Sequence, residues 1–253
     1  MNDAFGLETT CVLVTGGTRG IGKAISLRLA RAGATVVANY ARNEAAAAAL
    51  KADALAEQLS VEVMRADLTQ PKGMTSVRER MQKCGDSIVS IVHCAATGVH
   101  RPFDELTLKH WDWTIALNAR VFFELVRGLS PILSDGSAVV AVSSAGAVRA
   151  VPAYTLIGAS KGALESTARH MAIELAPRGI RVNILSPGSV DTASWDAFPD
   201  KDRRLAEAVQ RAPLGRLVTA EEVAYGAQFL CSRAARGMVG QTLVIDGGTR
   251  ILE

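Results

Sequence analysis

The stretch Cys11–Gly22, CVLVTGGTRGIG, decides the fold. It opens with an apolar run typical of a buried strand, passes into a glycine-rich turn, and leads into an amphipathic segment that reaches about Arg31. The glycines at Gly16, Gly20 and Gly22 follow a Gly-x3-Gly-x-Gly spacing. Glycines let backbone N–H groups approach a pyrophosphate, which the N-terminus of the next helix then stabilises. The stretch therefore predicts a nucleotide site at the end of the first strand.

Short apolar runs and longer amphipathic segments alternate along the rest of the chain. Further strands are predicted at 35–40, 61–65, 88–94, 138–143, 181–185 and 242–245, and helices at 44–59, from 71, at 110–133, 155–176 and 221–232. This alternation predicts an α/β fold, a doubly wound Rossmann-type parallel sheet with helices on both faces. No linker or repeat divides the chain, so we expect residues 1–253 to form a single domain.

One long polar stretch, 189–216, follows the sixth predicted strand and carries two prolines. Ligands of such sheets bind beyond the carboxyl ends of the strands, so the stretch predicts a substrate lid. The alternative is an ordinary surface excursion.

Composition excludes several classes of function. The formal net charge is only +3 and aromatic residues make up 5%, which argues against a nucleic-acid partner. The four cysteines form no C-x-x-C pair and the four histidines lack metal-like spacing, so neither a zinc site nor a disulfide framework is predicted. No apolar run reaches the roughly 18 residues of a membrane span, and the N-terminus has no apolar leader. We expect a soluble, reduced, cytoplasmic protein without a membrane partner.

Short motifs beyond the glycine turn make the chain similar to the short-chain dehydrogenase/reductase family, from about Cys11 to Gly248. These motifs are Asp67-Leu68, Cys94-Ala95-Ala96, Asn118, Ser143-Ser144, Ser160-Lys161, Pro187-Gly188, Thr192 and Asp246-Gly247-Gly248. At Cys94 the chain departs from the family's usual Asn-Ala-Gly but keeps small residues. The resemblance implies a nicotinamide cofactor. The contacts that it implies are Gly16, Thr18, Arg19, Gly20, Ile21, Gly22, Arg42, Asp67, Leu68, Cys94, Ala95, Ala96, Lys161, Pro187, Gly188, Val190 and Thr192.

Charge at the end of the second strand indicates which nicotinamide cofactor is used. The segment 39–42 reads Asn-Tyr-Ala-Arg and holds no carboxylate to bind a ribose 2′-hydroxyl. Arg19 in the glycine turn and Arg42 after the strand are two guanidinium groups that suit a 2′-phosphate. They also lie where the family has its NADP-selecting basic residues. We therefore expect NADPH, the alternative being two solvated surface arginines.

The tyrosine position departs from the family in a way that bears on the reaction. Most members have Tyr-x3-Lys, but Ile157 lies four residues before Lys161, and the nearby phenol is Tyr154, seven residues before it. Along a helix, seven residues span about 10.5 Å and four span about 6 Å, so the wider spacing places the phenol about 4.5 Å farther from the lysine and keeps both on one face. In enoyl thioester reduction the hydride reaches C3 while charge develops on the thioester oxygen, two carbons away. A donor placed farther out is what this conjugate reduction needs.

The Tyr-x6-Lys spacing and the surrounding string Gly146–Tyr154 resemble the enoyl-acyl-carrier-protein reductases, in particular the third bacterial type, which uses NADPH. The resemblance implies that Tyr154 donates a proton or stabilises the enolate. It implies that Lys161 binds the nicotinamide ribose and lowers the pKa of the phenol. Ser144 occupies the family's catalytic serine position and lines the site, and Asn118 holds helix geometry or a water, although a purely structural role also explains it.

The expected function is NADPH-dependent reduction of trans-2-enoyl thioesters of acyl carrier protein or coenzyme A, in fatty acid or polyketide synthesis. The alternatives are a carbonyl reductase whose Tyr154 is displaced by a local bulge, and a catalytically silent nucleotide-binding protein. Five basic residues in or beside the predicted lid suit an acidic carrier protein, or else form a solvated face: Lys201, Arg203, Arg204, Arg211 and Arg216.

Assembly is also implied by the resemblance. In that family the helices predicted here at 110–133 and 155–176 pair across two-fold axes, which predicts a homotetramer. Trp111 and Trp113 are two residues apart and so face different sides of a helix, one toward the core and one toward an interface.

Overall fold

The parallel sheet is the centre of the molecule. The computed structural model describes residues 4–192, 195 and 200–251, and these form one seven-stranded sheet in the order β3-β2-β1-β4-β5-β6-β7. Every neighbouring pair runs parallel. The strands are β1 (Thr10–Thr15), β2 (Thr35–Tyr40), β3 (Val61–Arg65), β4 (Ile88–His93), β5 (Ala138–Val142), β6 (Arg181–Pro187) and β7 (Thr242–Ile245). The predicted fold class is confirmed.

Helices cover both faces of the sheet. They are α1 (Gly20–Arg31), α2 (Glu44–Ala56), α3 (Pro71–Gln82), α4 (Leu108–Ile115), α5 (Val121–Leu129), α6 (Thr155–Leu175), α7 (Lys201–Arg211) and α8 (Ala220–Cys231). One apolar cluster packs α1, α2 and α8 on one face, and a second packs α3, α5 and α6 on the other. Within the described part of the chain, no helix is long and apolar enough to cross a membrane.

The inner strand β1 shows why the middle of the sheet is buried on both faces. Val12 and Val14 belong to the first apolar cluster, whereas Cys11 and Leu13 belong to the second. Successive side chains of a strand point to opposite faces, so a wholly apolar strand is buried only between two helical layers. The polar ends of the strands are then brought together at one edge, where the loops carry the site.

The predicted long helix at 110–133 differs from the structure. It begins earlier, at Leu108, is interrupted by a π-helical turn, Ala116–Arg120, and ends at Leu129. A π-turn is a single turn inserted into an α-helix, and it has no characteristic composition. The sequence pattern therefore does not predict it. Trp111 and Trp113 are 45% and 41% exposed, so the prediction that one of them faces the core is wrong.

The predicted lid contains a helix that the sequence pattern did not predict. Of the stretch 189–216, residues 193–194 and 196–199 lie outside the described residues, and the remainder includes α7. No residue of α7 is fully buried, and its apolar side chains, such as Leu205 and Val209, are only partly buried among charged neighbours. Among the described residues, three arginines of this set hold acidic partners: Arg203 binds Asp200 and Glu207, Arg204 binds Asp200, and Arg216 binds Glu222.

The cysteine prediction is wrong for one pair. Cys11 on β1 and Cys84, just after α3, form a disulfide with their Cα atoms 6.1 Å apart. Their separation of 73 residues hides the pairing in the sequence, since only the fold brings the two positions together.

Free-thiol counting checks this pair. Cys94 and Cys231 are the free cysteines, so two of the four thiols should react with a thiol reagent in denaturant without reductant, and four after reduction. Four reactive thiols before reduction would show that the pair is reduced.

Candidate active site

The glycine-rich turn lies where the strand order reverses, between β1 and its neighbours β2 and β4. Gly16 has a φ of +62°, and a Cβ built there would lie 2.9 Å from the Ala95 Cα atom. A Cβ on Gly22 would lie 2.0 Å from the Gly16 carbonyl oxygen. A side chain at either position therefore forces the turn apart, which explains the glycines physically.

The first turn of α1 fits a bound phosphate. Its N-cap residue, Arg19, makes no side-chain cap, and no acidic residue lies in the first turn. Gly20 has a φ of +51°, and the nearest atoms to a Cβ built there belong to Thr192, 3.8 Å away, so the turn is open on this side. Uncapped N–H groups and the positive end of the helix dipole stabilise an anion. The segment after β6, which carries Thr192, therefore lies beside this turn.

A buried hydrogen-bond network joins this turn to the loop after β4. The Thr15 hydroxyl oxygen accepts bonds from the Cys94 and Ala95 backbone N–H groups, at 3.2 and 3.1 Å, and lies 2.9 Å from His93 Nδ1. With its oxygen accepting twice, the hydroxyl donates its own proton to Nδ1. Burial and the Lys161 charge lower the pKa of His93 to about 3, so the imidazole is neutral. His93 therefore packs in the core and, through Thr15, helps to hold the loop after β4 in position.

The region beside the end of β2 is basic and open. Asn39 turns its amide inward and donates to the Ala66 carbonyl at 2.9 Å, so it does not reach a ribose. Arg19 and Arg42 are exposed. A cleft of about 450 Å³ is lined by residues that include Arg42, Asp67 and Lys72. This cleft has room for the ribose of a nicotinamide cofactor, and basic side chains line it.

The other expected cofactor residues line the same edge of the sheet. Leu68 is buried, and the Asp67 carboxylate accepts from Thr69 N at 3.0 Å. A Cβ on Gly188 would lie 2.7 Å from the Asp246 Cβ, which requires a glycine there. The remaining positions lie in the glycine turn, in the loop after β4 and at the end of β6: Thr18, Ile21, Ala96, Pro187 and Val190.

Tyr154 stands at the entrance of α6 and not within it. It is the N-cap residue, preceded by Ala153 at a left-handed φ of +58°. Its ring packs on Gly146, where a built Cβ would lie 2.5 Å from the ring carbon Cε1. Its Oη lies 3.4 Å from Ser144 Oγ. The straight-helix separation predicted between Tyr154 and Lys161 therefore does not hold, because Tyr154 precedes the first helical residue.

Lys161 reaches the same strand end from inside α6. Its side chain is buried, and Nζ donates to the Val142 carbonyl at 2.7 Å. Val142 and Ser144 are two residues apart at the end of β5, so the ammonium and the phenol converge on one edge. Burial lowers the pKa of Lys161 to about 8.

The expected effect of Lys161 on the phenol is not found. Burial raises the pKa of Tyr154 and outweighs the hydrogen bond to Ser144, which lowers it. The Lys161 charge instead acts on Cys94 and His93. The phenol therefore keeps its proton at neutral pH, as a proton donor must.

The family's usual tyrosine position has become an apolar contact. Ile157 is buried, and a Cβ built on Gly98 would lie 2.2 Å from its Cγ1. No hydroxyl is available at this place, and the loop after β4 packs against the isoleucine instead. Tyr154 is consequently the phenol nearest to Ser144 along this edge.

Asn118 ties three elements together. It lies buried in the π-turn, where Nδ2 donates to the Thr97 carbonyl and to Ser160 Oγ, both at 2.9 Å, and Oδ1 accepts from the Thr97 N–H at 2.8 Å. Its amide is fully used within the protein. Asn118 thus holds the loop after β4 against α6.

Comparisons with known proteins agree with this geometry. A family model described as Enoyl-(Acyl carrier protein) reductase matches residues 16–250. The chain belongs to the short-chain dehydrogenase/reductase family. One relative, the 1-cyclohexenylcarbonyl-CoA reductase of Streptomyces collinus, is 36% identical over 95% of this chain and 86% of its own. The NADH-dependent enoyl-[acyl-carrier-protein] reductase FabI of Synechocystis is 28% identical over 92% of this chain and 93% of its own.

Solved structures show the same fold. A gluconate 5-dehydrogenase from Burkholderia cenocepacia, crystallised with NADP and tartrate, aligns with a TM-score of 0.90 at 26% identity, over 99% of each chain. A dehydrogenase/reductase from Sinorhizobium meliloti aligns with a TM-score of 0.90 at 32% identity, over 97% of each chain. This short-chain dehydrogenase/reductase is therefore an oxidoreductase of a family that uses nicotinamide cofactors.

Three residues of this short-chain dehydrogenase/reductase that touch or aim Tyr154 had no role in the sequence-based prediction, although Gly146 and Ala153 lie in the string that resembles the enoyl reductases. Gly146 provides the flat surface for the ring, and Ala153 provides the left-handed bend before it. His100 places its ring centroid 5.5 Å from that of Tyr154. The glycine was the only one of the three with a detectable signal, because it lies two residues after Ser144.

Proposed function

We propose that this protein is an NADPH-dependent reductase of 2-enoyl thioesters. The observation that carries the proposal is the position of its phenol. Tyr154 lies outside α6, bonded to Ser144, while the position four residues before Lys161 holds a buried isoleucine. A donor displaced outward in this way favours stabilising charge on a thioester oxygen rather than on a carbonyl beside the hydride.

The residues present fit the cofactor. The open first turn of α1 would hold the pyrophosphate, Arg19 and Arg42 the 2′-phosphate, and Lys161 the nicotinamide ribose. Bound NADPH would supply the hydride that substrate C3 receives.

The protein's own groups act on the other end of the conjugated system. As C3 gains the hydride, the electron pair of the C2=C3 bond shifts and negative charge develops on the thioester oxygen. The Tyr154 hydroxyl donates a hydrogen bond or its proton to this oxygen, and Ser144 holds the phenol in place. C2 then takes up a proton to give the saturated thioester. Asn118 keeps the surrounding loop fixed without touching the substrate.

The direct test compares two substrates. Purified protein should oxidise NADPH with a crotonyl thioester and do so much more slowly with an acetoacetyl thioester. Both acyl groups should be offered on coenzyme A and on acyl carrier protein, since either is a suitable carrier and the product would serve fatty acid or polyketide synthesis. Absence of enoyl reduction would overturn the proposal.

A carbonyl reductase is the second candidate. The 3.4 Å contact between Ser144 and Tyr154 is a serine–phenol pair, the type of donor set that a ketone oxygen accepts from. Faster acetoacetyl than crotonyl reduction in the same assay would favour this candidate. No turnover with either thioester would instead favour a catalytically silent nucleotide-binding protein.

The cofactor proposal gives a separate expected result. Arg42→Ala or Arg19→Ala should raise the KM for NADPH far more than the KM for NADH, since each lost charge-assisted contact costs about 1.5–3 kcal/mol. Arg31→Ala is the matched control, because Arg31 lies at the other end of α1 and is bound by Glu57 at 2.7 Å. An equal rise in KM for both cofactors would show that the arginines do not bind the 2′-phosphate.

Assembly is part of the proposal. Apolar side chains remain exposed on α4, α5 and α6, among them Leu108, Phe123 and Ile173. Clustered exposed apolar groups mark interaction surfaces. Light scattering should give a homotetramer, four times the 26.7 kDa chain mass. A monomer at micromolar concentration would contradict this expectation.

A further inference from the structure

His100 is a titratable side chain in contact with Tyr154 for which the reaction described above has no use. It lies in the loop after β4 and is partly exposed. Its ring centroid is 5.5 Å from that of Tyr154, with the two planes inclined by 39°. Neither the glycine turn nor any family motif includes it.

The phenol needs a proton source. Reduction of an enoyl thioester consumes one hydride, at C3, and one proton, which finally resides on C2. If the Tyr154 proton is given to the substrate, the phenolate oxygen must recover a proton from water before the next cycle.

The expected partners of the phenol do not offer that proton directly. Lys161 Nζ is bonded to the Val142 carbonyl, and the pKa of Tyr154 responds to burial and to Ser144. The Asn118 amide is taken up by Thr97 and Ser160. His100 contacts the ring itself and is partly exposed.

The charged and titratable groups around His100 suit proton exchange. Tyr154 faces it from the start of α6, Arg204 faces it from α7, and Arg101 follows it in the chain. Burial, and after it the Arg204 guanidinium, lower the pKa of His100. The imidazolium therefore gives up its proton more readily than a free histidine does, while the buried phenolate binds one more strongly than a free tyrosine does.

We propose that His100 returns the proton to Tyr154 after each reduction, directly or through one water. A hydronium ion from the solvent gives its proton to the imidazole and becomes water; the N–H bond of the imidazolium then breaks as the O–H bond of Tyr154 forms. The cycle then consumes one NADPH and one solvent proton, and the imidazole ends neutral as it began. This step rests on the proposed function, because it requires a phenol that loses its proton to the substrate.

The test uses two substitutions at this position. His100→Ala should lower kcat about 10²-fold, the usual contribution of a positioned proton-transfer group, and leave the Kd for NADPH unchanged. Added imidazole should restore much of the rate, because it can enter the space left by the side chain. His100→Phe keeps a ring against Tyr154 and should be equally slow but not rescued. His170→Ala, an exposed histidine on α6, is the matched control.

The pH profile distinguishes proton transfer from packing. In the unsubstituted protein, kcat should fall as the pH rises through the lowered pKa of the imidazolium, and this limb should disappear in His100→Ala. The proposal would be overturned if His100→Ala and His100→Phe both had the kcat of the unsubstituted protein. It would also be overturned by a loss of kcat without imidazole rescue that leaves the pH profile unchanged.

Failure of this proposal differs from failure of the proposed function. Crotonyl reduction by the unsubstituted protein tests the function alone, whereas the ratio between variant and unsubstituted rates tests His100. If only the acetoacetyl thioester is reduced, the same ratio is measured there, because a ketone also takes its proton from the phenol. Turnover of neither thioester overturns both proposals.

Discussion

Tyr154→Phe is expected to lower kcat for crotonyl thioester reduction about 10²–10³-fold, the usual value of one positioned donor to a developing oxyanion. The Kd for NADPH should stay the same, since the ring still packs on Gly146 and only the hydroxyl that meets the substrate is lost. Steady-state NADPH oxidation measures the first quantity and titration calorimetry the second. Full activity in this variant would refute the role of the phenol.

Tyr225→Phe is the control for that substitution. Tyr225 lies on α8, is half exposed, and carries the Arg28 guanidinium over its ring at 4.7 Å from the centroid. Removing its hydroxyl leaves the strand ends untouched. Its kcat and Kd should match those of the unsubstituted protein.

A tyrosine at the family's usual position should not replace Tyr154. Ile157 is buried against Gly98, so Ile157→Tyr overpacks this contact at a cost of about 1–3 kcal/mol. Even where the fold accommodates the ring, a tyrosine at 157 projects from within α6, whereas Tyr154 precedes that helix, so the two hydroxyls lie at different places. Enoyl reduction regained in the double variant Tyr154→Phe, Ile157→Tyr would show that the phenol's position does not select the reaction.

The strand and helix pattern was predictable because it depends on local composition. The inner strands β1 and β5 are short apolar runs buried on both faces, and the glycines at Gly16 and Gly22 remove clashes that a Cβ would create. These requirements act on neighbouring residues, so the sequence displays them directly.

The details that aim the catalytic groups were not predictable in the same way. The left-handed Ala153 moves Tyr154 off the helix, and the π-turn carries Asn118 toward Thr97, yet neither has a compositional signature. The pKa of Tyr154 was predicted with the wrong sign, because burial depends on the whole fold while the lysine seven residues away is visible in the sequence. The contacts of His100 and the Cys11–Cys84 disulfide are equally long-range.

Lys161→Met is expected to damage both cofactor binding and turnover, unlike Tyr154→Phe. The ammonium is the assigned donor to the nicotinamide ribose, and a hydrogen bond from a charged group is worth about 1.5–3 kcal/mol, or roughly 10- to 150-fold in the Kd for NADPH. Turnover should fall as well, because a nicotinamide that is held loosely delivers its hydride from fewer productive orientations. Methionine fills most of the buried space of the lysine stem, so thermal unfolding should show that the fold survives.

The pH dependence of NADPH binding separates charge from shape at this position. Burial lowers the pKa of Lys161 to about 8, so the folded protein carries the ammonium below that pH and loses it as the pH rises through it. NADPH binding by the unsubstituted protein should therefore weaken on the alkaline side of pH 8. Lys161→Met has no proton to lose there, and its weaker binding should stay level across the same range. If NADPH binding declined equally in both proteins on the alkaline side, the titrating group would not be Lys161. The charge of Lys161 would then not contribute to cofactor binding.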